Sequence, residues 1–266
     1  MAKKETIFFC TSCGYETGKW LGKCPACNEW NTFKEEKFTK KTKTSYKRKS
    51  ENNRTPVSIS EISIEKIKRY NIGMSEFNRV LGGGVVPSSL ILLGGEPGIG
   101  KSTIMLQSAE ALSKLGQVLY ISGEESAVQV KMRSDRLNIK GEKILFLGET
   151  NLDKIEEIVL ENKPEFLIID SIQTLYVSSL DKMPGSISQI REATARLLEL
   201  SKTHNIATFV IGHVTKDGMI AGPKILEHIV DTVLYFESKT PYLILRAVKN
   251  RFGNTDEIGI FNMEET

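Results

Sequence analysis

Apolar residues recur along positions 57–266 with two alternating periods. Short apolar runs predict buried strands at 90–94, 117–122, 143–147, 165–170 and 206–212. Segments with helical spacing separate them, at 102–115, 126–137, 151–162 and 186–204. This alternation predicts an α/β fold, with a mostly parallel sheet and helices on both faces. Three later runs, at 232–237, 242–250 and 257–262, predict an antiparallel extension at the sheet edge.

The first 56 residues have a different composition from the rest of the chain. All four cysteines lie in residues 1–33, which we predict to be a small metal module. Residues 34–56 have few apolar side chains and no period, and positions 34–54 hold 9 Lys/Arg against 3 Asp/Glu. This segment therefore predicts a flexible basic linker, and residues 57–266 predict one large domain.

The cysteines form two Cys-x-x-Cys pairs, at Cys10, Cys13, Cys24 and Cys27. Two such turns bring four thiolates to one tetrahedral ion, so the spacing predicts a structural zinc site. A rubredoxin-like iron site remains open, because ligand type alone does not exclude it. The bound metal would stabilise a module too small to have a sufficient core of its own. We also predict that Trp20, Lys23, Trp30 and Phe33 form a contact surface on this module.

Nothing in the sequence indicates a membrane segment. The N-terminus carries only three apolar residues after its first polar ones, and no apolar run reaches the ~18 residues that span a bilayer. We therefore expect a cytoplasmic protein with no membrane partner.

A phosphate-binding loop follows the first predicted strand of the large domain. Glycines in such a loop let backbone N–H groups close around phosphates, while Lys101 reaches the terminal phosphates and Ser102 binds Mg²⁺. The guanine-specifying Asn-Lys-x-Asp tetrad is missing, which favours ATP over GTP. The predicted nucleotide-binding residues are Gly95, Glu96, Pro97, Gly98, Ile99, Gly100, Lys101, Ser102 and Thr103.

Polar residues at the ends of three other strands are candidates for the rest of the site. Asp170 ends an apolar strand, where it is either a Mg²⁺ ligand or a turn residue. Glu124 and Glu125 follow another strand, where one of them can orient the attacking water or both can be helix-start acids. His213 ends a third strand, either as a sensor of the γ-phosphate or as a surface histidine.

Several segments resemble the RadA (Sms) family of bacterial DNA repair proteins over nearly the whole chain. The most specific is Lys249-Asn-Arg-Phe-Gly253. Others are Phe9-Cys-Thr-Ser-Cys-Gly-Tyr, Lys19-Trp-Leu-Gly-Lys-Cys-Pro-Ala-Cys-Asn-Glu-Trp-Asn-Thr, Arg79-Val-Leu-Gly-Gly-Gly-Val-Val-Pro, Gly185-Ser-Ile-Ser-Gln-Ile-Arg-Glu, Gly212-His-Val-Thr-Lys and Leu226-Glu-His-Ile-Val-Asp-Thr-Val-Leu-Tyr-Phe-Glu. Members of this family usually continue into a Lon protease-like domain, whereas this sequence ends at Thr266. The resemblance therefore predicts a chain that lacks this domain, either shortened or naturally short.

The resemblance implies a RecA-like P-loop ATPase core that assembles into homo-hexameric rings. It assigns the catalytic base to Glu124 and the γ-phosphate sensor to His213, and it implies that Lys249 and Arg251 act on a neighbouring subunit's nucleotide. The implied partners are single-stranded DNA and branched recombination intermediates, with DNA contacts in loops 178–188 and 214–221.

The implied function is a DNA-dependent ATPase of recombination and repair, which uses ATP, Mg²⁺ and Zn²⁺ and drives branch migration. The alternative is a nucleotide-switched accessory module that docks a helicase, or a recombinase such as RecA, through its zinc module. The two differ in whether DNA accelerates ATP turnover.

Overall fold

The computed structural model describes residues 5–11, 15–38, 58, 69–213, 225–239 and 241–263. Their contacts divide the chain into two units, Met1–Ile67 and Lys68–Thr266. The predicted domain boundary at residue 57 lies outside the described residues. None of the helices in the described ranges is long and apolar enough to cross a membrane.

The N-terminal unit contains a small antiparallel sheet. Its strands are β1 (Glu5–Cys10), β2 (Glu16–Thr17) and β3 (Phe33–Phe38), in the order β2-β1-β3. All six residues of β3 pair with β1, so residues 34–38 belong to the sheet and not to the predicted linker. The sequence pattern does not predict this edge strand, because most of its residues are charged and lack the apolar alternation of a strand. Charged side chains are common on exposed sheet edges.

The C-terminal unit alternates strands and helices. Its strands are β4 (Leu90–Gly95), β5 (Val118–Ser122), β6 (Ile144–Leu147), β7 (Phe166–Asp170), β8 (Ala207–His213), β9 (Thr232–Lys239), β10 (Tyr242–Asn250) and β11 (Ile258–Phe261). Its helices are α1 (Ser75–Val80), α2 (Lys101–Ser113), α3 (Ala127–Arg136), α4 (Leu152–Asn162), α5 (Ile187–His204) and α6 (Ile225–Ile229), and a 3₁₀ turn covers Ile172–Thr174.

The eight strands form one sheet in the order β11-β10-β9-β4-β8-β7-β5-β6. Strands β4 to β9 all run parallel to one another, whereas β10 pairs antiparallel with β9 and β11 antiparallel with β10. The predicted α/β class is confirmed. The antiparallel extension begins one strand later than the pattern suggested, because β9 still runs parallel to β4.

The central strands are buried on both faces, and each face has its own apolar core. Along β4, Ile91 and Leu93 pack on the face that α2 covers, whereas Leu90 and Leu92 pack on the face that α4 and α5 cover. This alternation is the period-2 pattern of a strand buried between two helical layers. The carboxyl ends of β4, β5, β7 and β8 consequently lie along one fixed edge, which is where open α/β sheets bind ligands.

Candidate functional site

The loop between β4 and α2 leaves an open concave space at this edge. Gly98 and Gly100 have φ angles of 78° and 103°, in the left-handed region that only glycine adopts without strain. A Cβ at Gly98 would meet no atom within 4 Å, so the loop is open on that side. Helix α2 starts directly after Gly100 and has no acidic residue in its first turn. Its N-terminal N–H groups and dipole therefore favour an anion at this position.

Lys101 lies inside the loop and is only 4% exposed. Its Nζ donates to the carbonyl oxygens of Gly95 and Glu96, each at 2.7 Å. Burial lowers the pKa of Lys101 to about 8, although the nearby carboxylates of Asp170 and Glu124 oppose that shift. The amine is thus a buried cation whose charge depends on neighbouring anions.

Asp170 ends β7 beside the first turn of α2. It is 3% exposed, and the Tyr120 hydroxyl donates to its Oδ2 at 2.7 Å. Burial raises the pKa of Asp170, while hydrogen bonds from Ser102 and Tyr120 act in the opposite direction. A carboxylate and a serine hydroxyl side by side are oxygen ligands of the kind Mg²⁺ prefers, so these residues fit that ion.

Glu124 lies between two strand ends. The Ser171 hydroxyl donates to its Oε1, and Nε2 of His213 lies 2.9 Å from the same oxygen. Burial raises the pKa of Glu124, but the hydrogen bonds from Ser171 and His213 outweigh that effect and hold the pKa below its ordinary value. Glu124 is therefore a partly exposed carboxylate that stays ionised and is oriented by two other strands.

The neighbouring Glu125 has a different environment. Arg133 of α3 donates two hydrogen bonds to its carboxylate, both at 2.5 Å. Helix α3 begins after Ser126, whose side chain forms a capping box with Gln129. Both glutamates precede the N-cap Ser126, so neither lies within the first turn of α3. The bidentate ion pair neutralises Glu125 and leaves Glu124 as the glutamate that can hold a water.

These side chains line one pocket of about 260 Å³. The predicted residues that it brings together are Pro97, Gly98, Gly100, Lys101, Ser102, Thr103, Glu124, Asp170 and His213. The side chain of His213 is partly exposed in the pocket. Its Nδ1 is buried without a hydrogen-bond partner among the described residues. Residues 214–224, which follow it and include the second predicted DNA loop, lie outside the described ranges.

Lys249 and Arg251 are absent from the lining of this pocket. Nζ of Lys249 donates to the carbonyl oxygens of Glu227 and Val230 at the end of α6, at 2.6 and 2.7 Å. The Arg251 guanidinium lies 3.5 Å from the buried carboxylate of Asp231 and is half exposed. Neither reaches its own chain's phosphate loop, which leaves a role on a neighbouring subunit as a prediction.

Three residues that hydrogen-bond to side chains of the pocket were not predicted from the sequence, and of these Arg133 also lines the pocket. Tyr120 lies within a buried strand, Ser171 follows Asp170, and Arg133 is one turn and a half into α3. Each acts by contacting a residue at least eight positions away, so local patterns do not reveal it. The signal for Arg133 was its position on the first helix after the two glutamates, where a cation can turn back toward the strand end.

The N-terminal unit holds a candidate metal centre. The Sγ atoms of Cys10, Cys24 and Cys27 lie within 4.8 Å of one another, and Cys10 and Cys27 are 3.6 Å apart. Sulfurs around a tetrahedral zinc at ~2.3 Å are separated by ~3.8 Å, so the three thiolates fit that ion. The predicted fourth ligand, Cys13, lies outside the described residues.

The surface of this unit differs from the prediction at one residue. Phe33 is 6% exposed and packs with the metal-site cysteines in the core of the unit, so it is not part of a contact surface. It starts β3 opposite Cys10, where its side chain points toward the metal site. Trp20, Lys23 and Trp30 are exposed, as predicted.

Substitution of Cys24 tests the metal centre. We expect Cys24→Ser to lose the bound metal and the fold of the N-terminal unit, because a small module without its metal lacks a sufficient core. Nucleotide binding should be retained within about twofold, since residues of the other unit line the nucleotide pocket and substitutions at sites with no shared contacts have independent effects. Metal analysis and nucleotide titration measure both effects. An exposed substitution in the same unit, Lys34→Ser, is the control, and full metal content in Cys24→Ser would contradict the assignment.

Two family models match the chain. One, described as the rubredoxin metal binding domain, covers residues 8–35, and the other, described as the AAA domain, covers residues 73–219. A solved structure, the KaiC-like protein PH0186 of Pyrococcus horikoshii, superposes with a TM-score of 0.61 at 18% identity, covering 74% of this chain and 100% of that one. That likeness supports the fold of the C-terminal unit.

Curated relatives match almost the entire chain. The DNA repair protein RadA of Halalkalibacterium halodurans is 52% identical over 272 residues, 100% of this chain and 59% of that protein. The RadA proteins of Listeria monocytogenes and Bacillus subtilis are 52% and 50% identical over 99% and 100% of this chain. The chain thus spans about 59% of the length of these relatives. It belongs to the AAA domain family, and the RadA resemblance carried by its motifs is confirmed.

Proposed function

We propose that this chain is an ATP hydrolase of DNA repair whose turnover is coupled to single-stranded DNA. The observation that carries the proposal is the position of Glu124. An ionised carboxylate, held by Ser171 and His213, lines the same pocket as the phosphate loop and Lys101. A hydrolase needs these parts together, an anion cradle and a base that orients water beside it.

The loop residues bind and orient the triphosphate. Backbone N–H groups of the loop and of the first turn of α2 donate to phosphate oxygens, and Lys101 exchanges its two carbonyl partners for the terminal phosphates. Ser102 and Asp170 would hold Mg²⁺, which neutralises charge on the β- and γ-phosphates when it is bound. Tyr120 keeps the Asp170 carboxylate in place from inside the sheet.

Glu124 supplies the base. Its carboxylate accepts a hydrogen bond from the attacking water and takes its proton as the water adds to the γ-phosphate and the bond to ADP breaks. His213 and Ser171 orient this carboxylate, so a change at the end of β8 reaches the base directly. His213 is thereby suited to report whether a γ-phosphate is present.

Coupling to a neighbouring subunit completes the proposed active site. In a ring of six chains, Lys249 and Arg251 would approach the nucleotide of the adjacent chain, where a cation that stabilises charge in the transition state accelerates hydrolysis by ~10³–10⁵. Burial and the nearby Arg251 lower the pKa of Lys249. A phosphate brought close to these two cations would relieve their mutual repulsion.

DNA is the proposed macromolecular partner. The relatives are named DNA repair proteins, and positions 34–54 carry an excess of six positive charges. Loop 178–188 and loop 214–221 would contact single-stranded DNA, and ATP-driven movement would migrate branched recombination intermediates in the cytoplasm, in concert with the RecA recombinase. Six or more phosphate contacts would make this binding strongly dependent on salt.

The pKa of Lys101 predicts how ATP affinity depends on pH. The value of about 8 belongs to the protein without nucleotide, and phosphate charges favour the protonated amine, so bound ATP raises this pKa. The affinity for ATP is therefore highest below pH 8, where the amine is already protonated. Above pH 8 it falls by up to about tenfold per pH unit, because binding must then be accompanied by uptake of a proton. Calorimetric titration at about pH 7 and about pH 9 measures the change. Lys101→Arg, which stays protonated, should remove the dependence, and an equal slope in that variant would contradict this origin.

Steady-state phosphate release with and without a single-stranded oligonucleotide tests the proposed function. The proposal predicts Mg²⁺-dependent turnover that DNA accelerates severalfold, with Lys101→Ala as the blank. Tight ATP binding with slow turnover that DNA does not change would instead favour the accessory module that docks a helicase or a recombinase.

A further inference from the structure

The N-terminal unit exposes two large aromatic side chains next to each other. Trp20 is 55% exposed and Trp30 is 68% exposed, and they are the 2 tryptophans of the chain. An exposed indole leaves a large apolar area in contact with water, which is unfavourable in free energy compared with burying it. Two neighbouring indoles on so small a unit indicate a surface that a ligand covers.

The apolar cluster that the described residues of this unit form does not include the two indoles. Its core contains Cys10, Cys24 and Phe33, with Phe8, Leu21 and Cys27 packed against them. Neither tryptophan belongs to that cluster. Among the described residues, packing in this cluster therefore does not account for the two rings.

Gly22 sets the spacing between the rings. A Cβ placed on Gly22 would lie 3.8 Å from Cζ3 of Trp20 and 3.8 Å from Cζ3 of Trp30. The two ring edges are consequently no farther apart than twice that distance, and they border a narrow gap over the glycine. A flat ring that stacks on one indole would therefore also lie near the other.

Two lysines are close to these rings, one in space and one in sequence. Nζ of Lys23 lies 5.8 Å from the centroid of the Trp30 ring, and Lys19 is exposed one position before Trp20. The segment at positions 34–54, with 9 Lys/Arg against 3 Asp/Glu, follows in sequence. Stacking rings flanked by lysines are the combination that binds unpaired bases and the phosphates between them.

We propose that Trp20 and Trp30, with Lys19 and Lys23, form a binding site for single-stranded nucleic acid on the metal module. The bases stack on the indoles beside Gly22, and the lysines contact the adjacent phosphates. The site is formed by residues of the N-terminal unit, whereas the residues that line the ATP pocket belong to the C-terminal unit. It rests on the proposed function only in taking single-stranded DNA as the partner.

Intrinsic fluorescence of the full, metal-loaded chain tests this site, since both tryptophans belong to it. We expect a single-stranded oligothymidylate to quench the emission, and Trp30→Ala to raise the dissociation constant about tenfold, the loss of one base–aromatic stack. Trp30→Phe keeps an aromatic face and should restore most of the affinity. Lys23→Ala should lower the salt dependence of log K by about 0.7, the contribution of one phosphate contact on a single strand.

Gly22→Val tests the gap between the two indoles most directly. It leaves both indoles in place but fills the gap between them, so it should weaken binding as Trp30→Ala does. Metal content equal to that of the unchanged protein shows that each variant is folded. Unchanged affinity in both Gly22→Val and Trp30→Ala would overturn the proposal, as would quenching by a protein partner but not by the oligonucleotide.

The ATPase assay separates this proposal from the proposed function. If DNA accelerates ATP turnover but leaves tryptophan emission and both variants unaffected, the stacking site is wrong and the proposed function stands. If DNA quenches emission with the predicted variant effects but does not change turnover, the stacking site is correct and the coupling to DNA is wrong.

Discussion

Replacement of Lys101 by alanine is expected to abolish ATP hydrolysis and to weaken ATP binding by on the order of a hundredfold. Lys101 is a nearly fully buried cation of the phosphate loop, and its amine already lies at hydrogen-bonding distance from two loop carbonyls. Without it, the terminal phosphates lose a charge-assisted donor in a site that the carboxyl groups of Glu124 and Asp170 also line. Titration with a non-hydrolysable ATP analogue and phosphate release measure the two effects.

Lys114→Ala is the matched control for this change. Lys114 is an exposed lysine at the C-terminal end of α2, the helix that Lys101 begins. It should leave binding and turnover unaltered. ATP binding retained in Lys101→Ala, with the fold intact by circular dichroism, would contradict the assignment of the pocket.

Glu124→Gln is expected to reduce hydrolysis by ~10²–10⁴ while ATP binding is retained. The amide keeps an oxygen that accepts the Ser171 hydrogen bond, so the geometry is preserved, but glutamine cannot take a proton from water. Loss of a negative charge next to the triphosphate should, if anything, tighten ATP binding. Single-turnover cleavage and equilibrium binding separate chemistry from affinity.

Glu125→Gln distinguishes the two adjacent glutamates. Glu125 is paired with Arg133 by two hydrogen bonds, so its amide variant should retain most of the hydrolysis rate and lose mainly local stability. A larger loss of activity in Glu125→Gln than in Glu124→Gln would move the catalytic base to Glu125.

The central strands and the phosphate loop were predictable because both depend on short-range patterns. Strands β4, β5, β7 and β8 are buried on both faces and therefore appear as continuous apolar runs, each ending within one residue of its predicted end. The loop is recognised by the order of its glycines, lysine and serine.

Other parts of the site depend on contacts that the sequence does not encode locally. Glu124 and Glu125 are chemically equivalent in the sequence. The packing of α3 brings Arg133 to Glu125, and the pairing of β5 with β7 brings Ser171 to Glu124. Likewise β3 is held by pairing with β1, which its charged composition does not indicate. In both examples, tertiary contacts and not local sequence preference determine the structure.

Cleavage of ATP in a single turnover, with the protein in excess and in water enriched in oxygen-18, tests the central claim most directly. The account predicts Mg²⁺-dependent conversion to ADP and a phosphate that carries one solvent oxygen, in the wild-type chain and not in Glu124→Gln. Bound ATP that stays intact, or a cleavage rate equal in the two proteins, would contradict it.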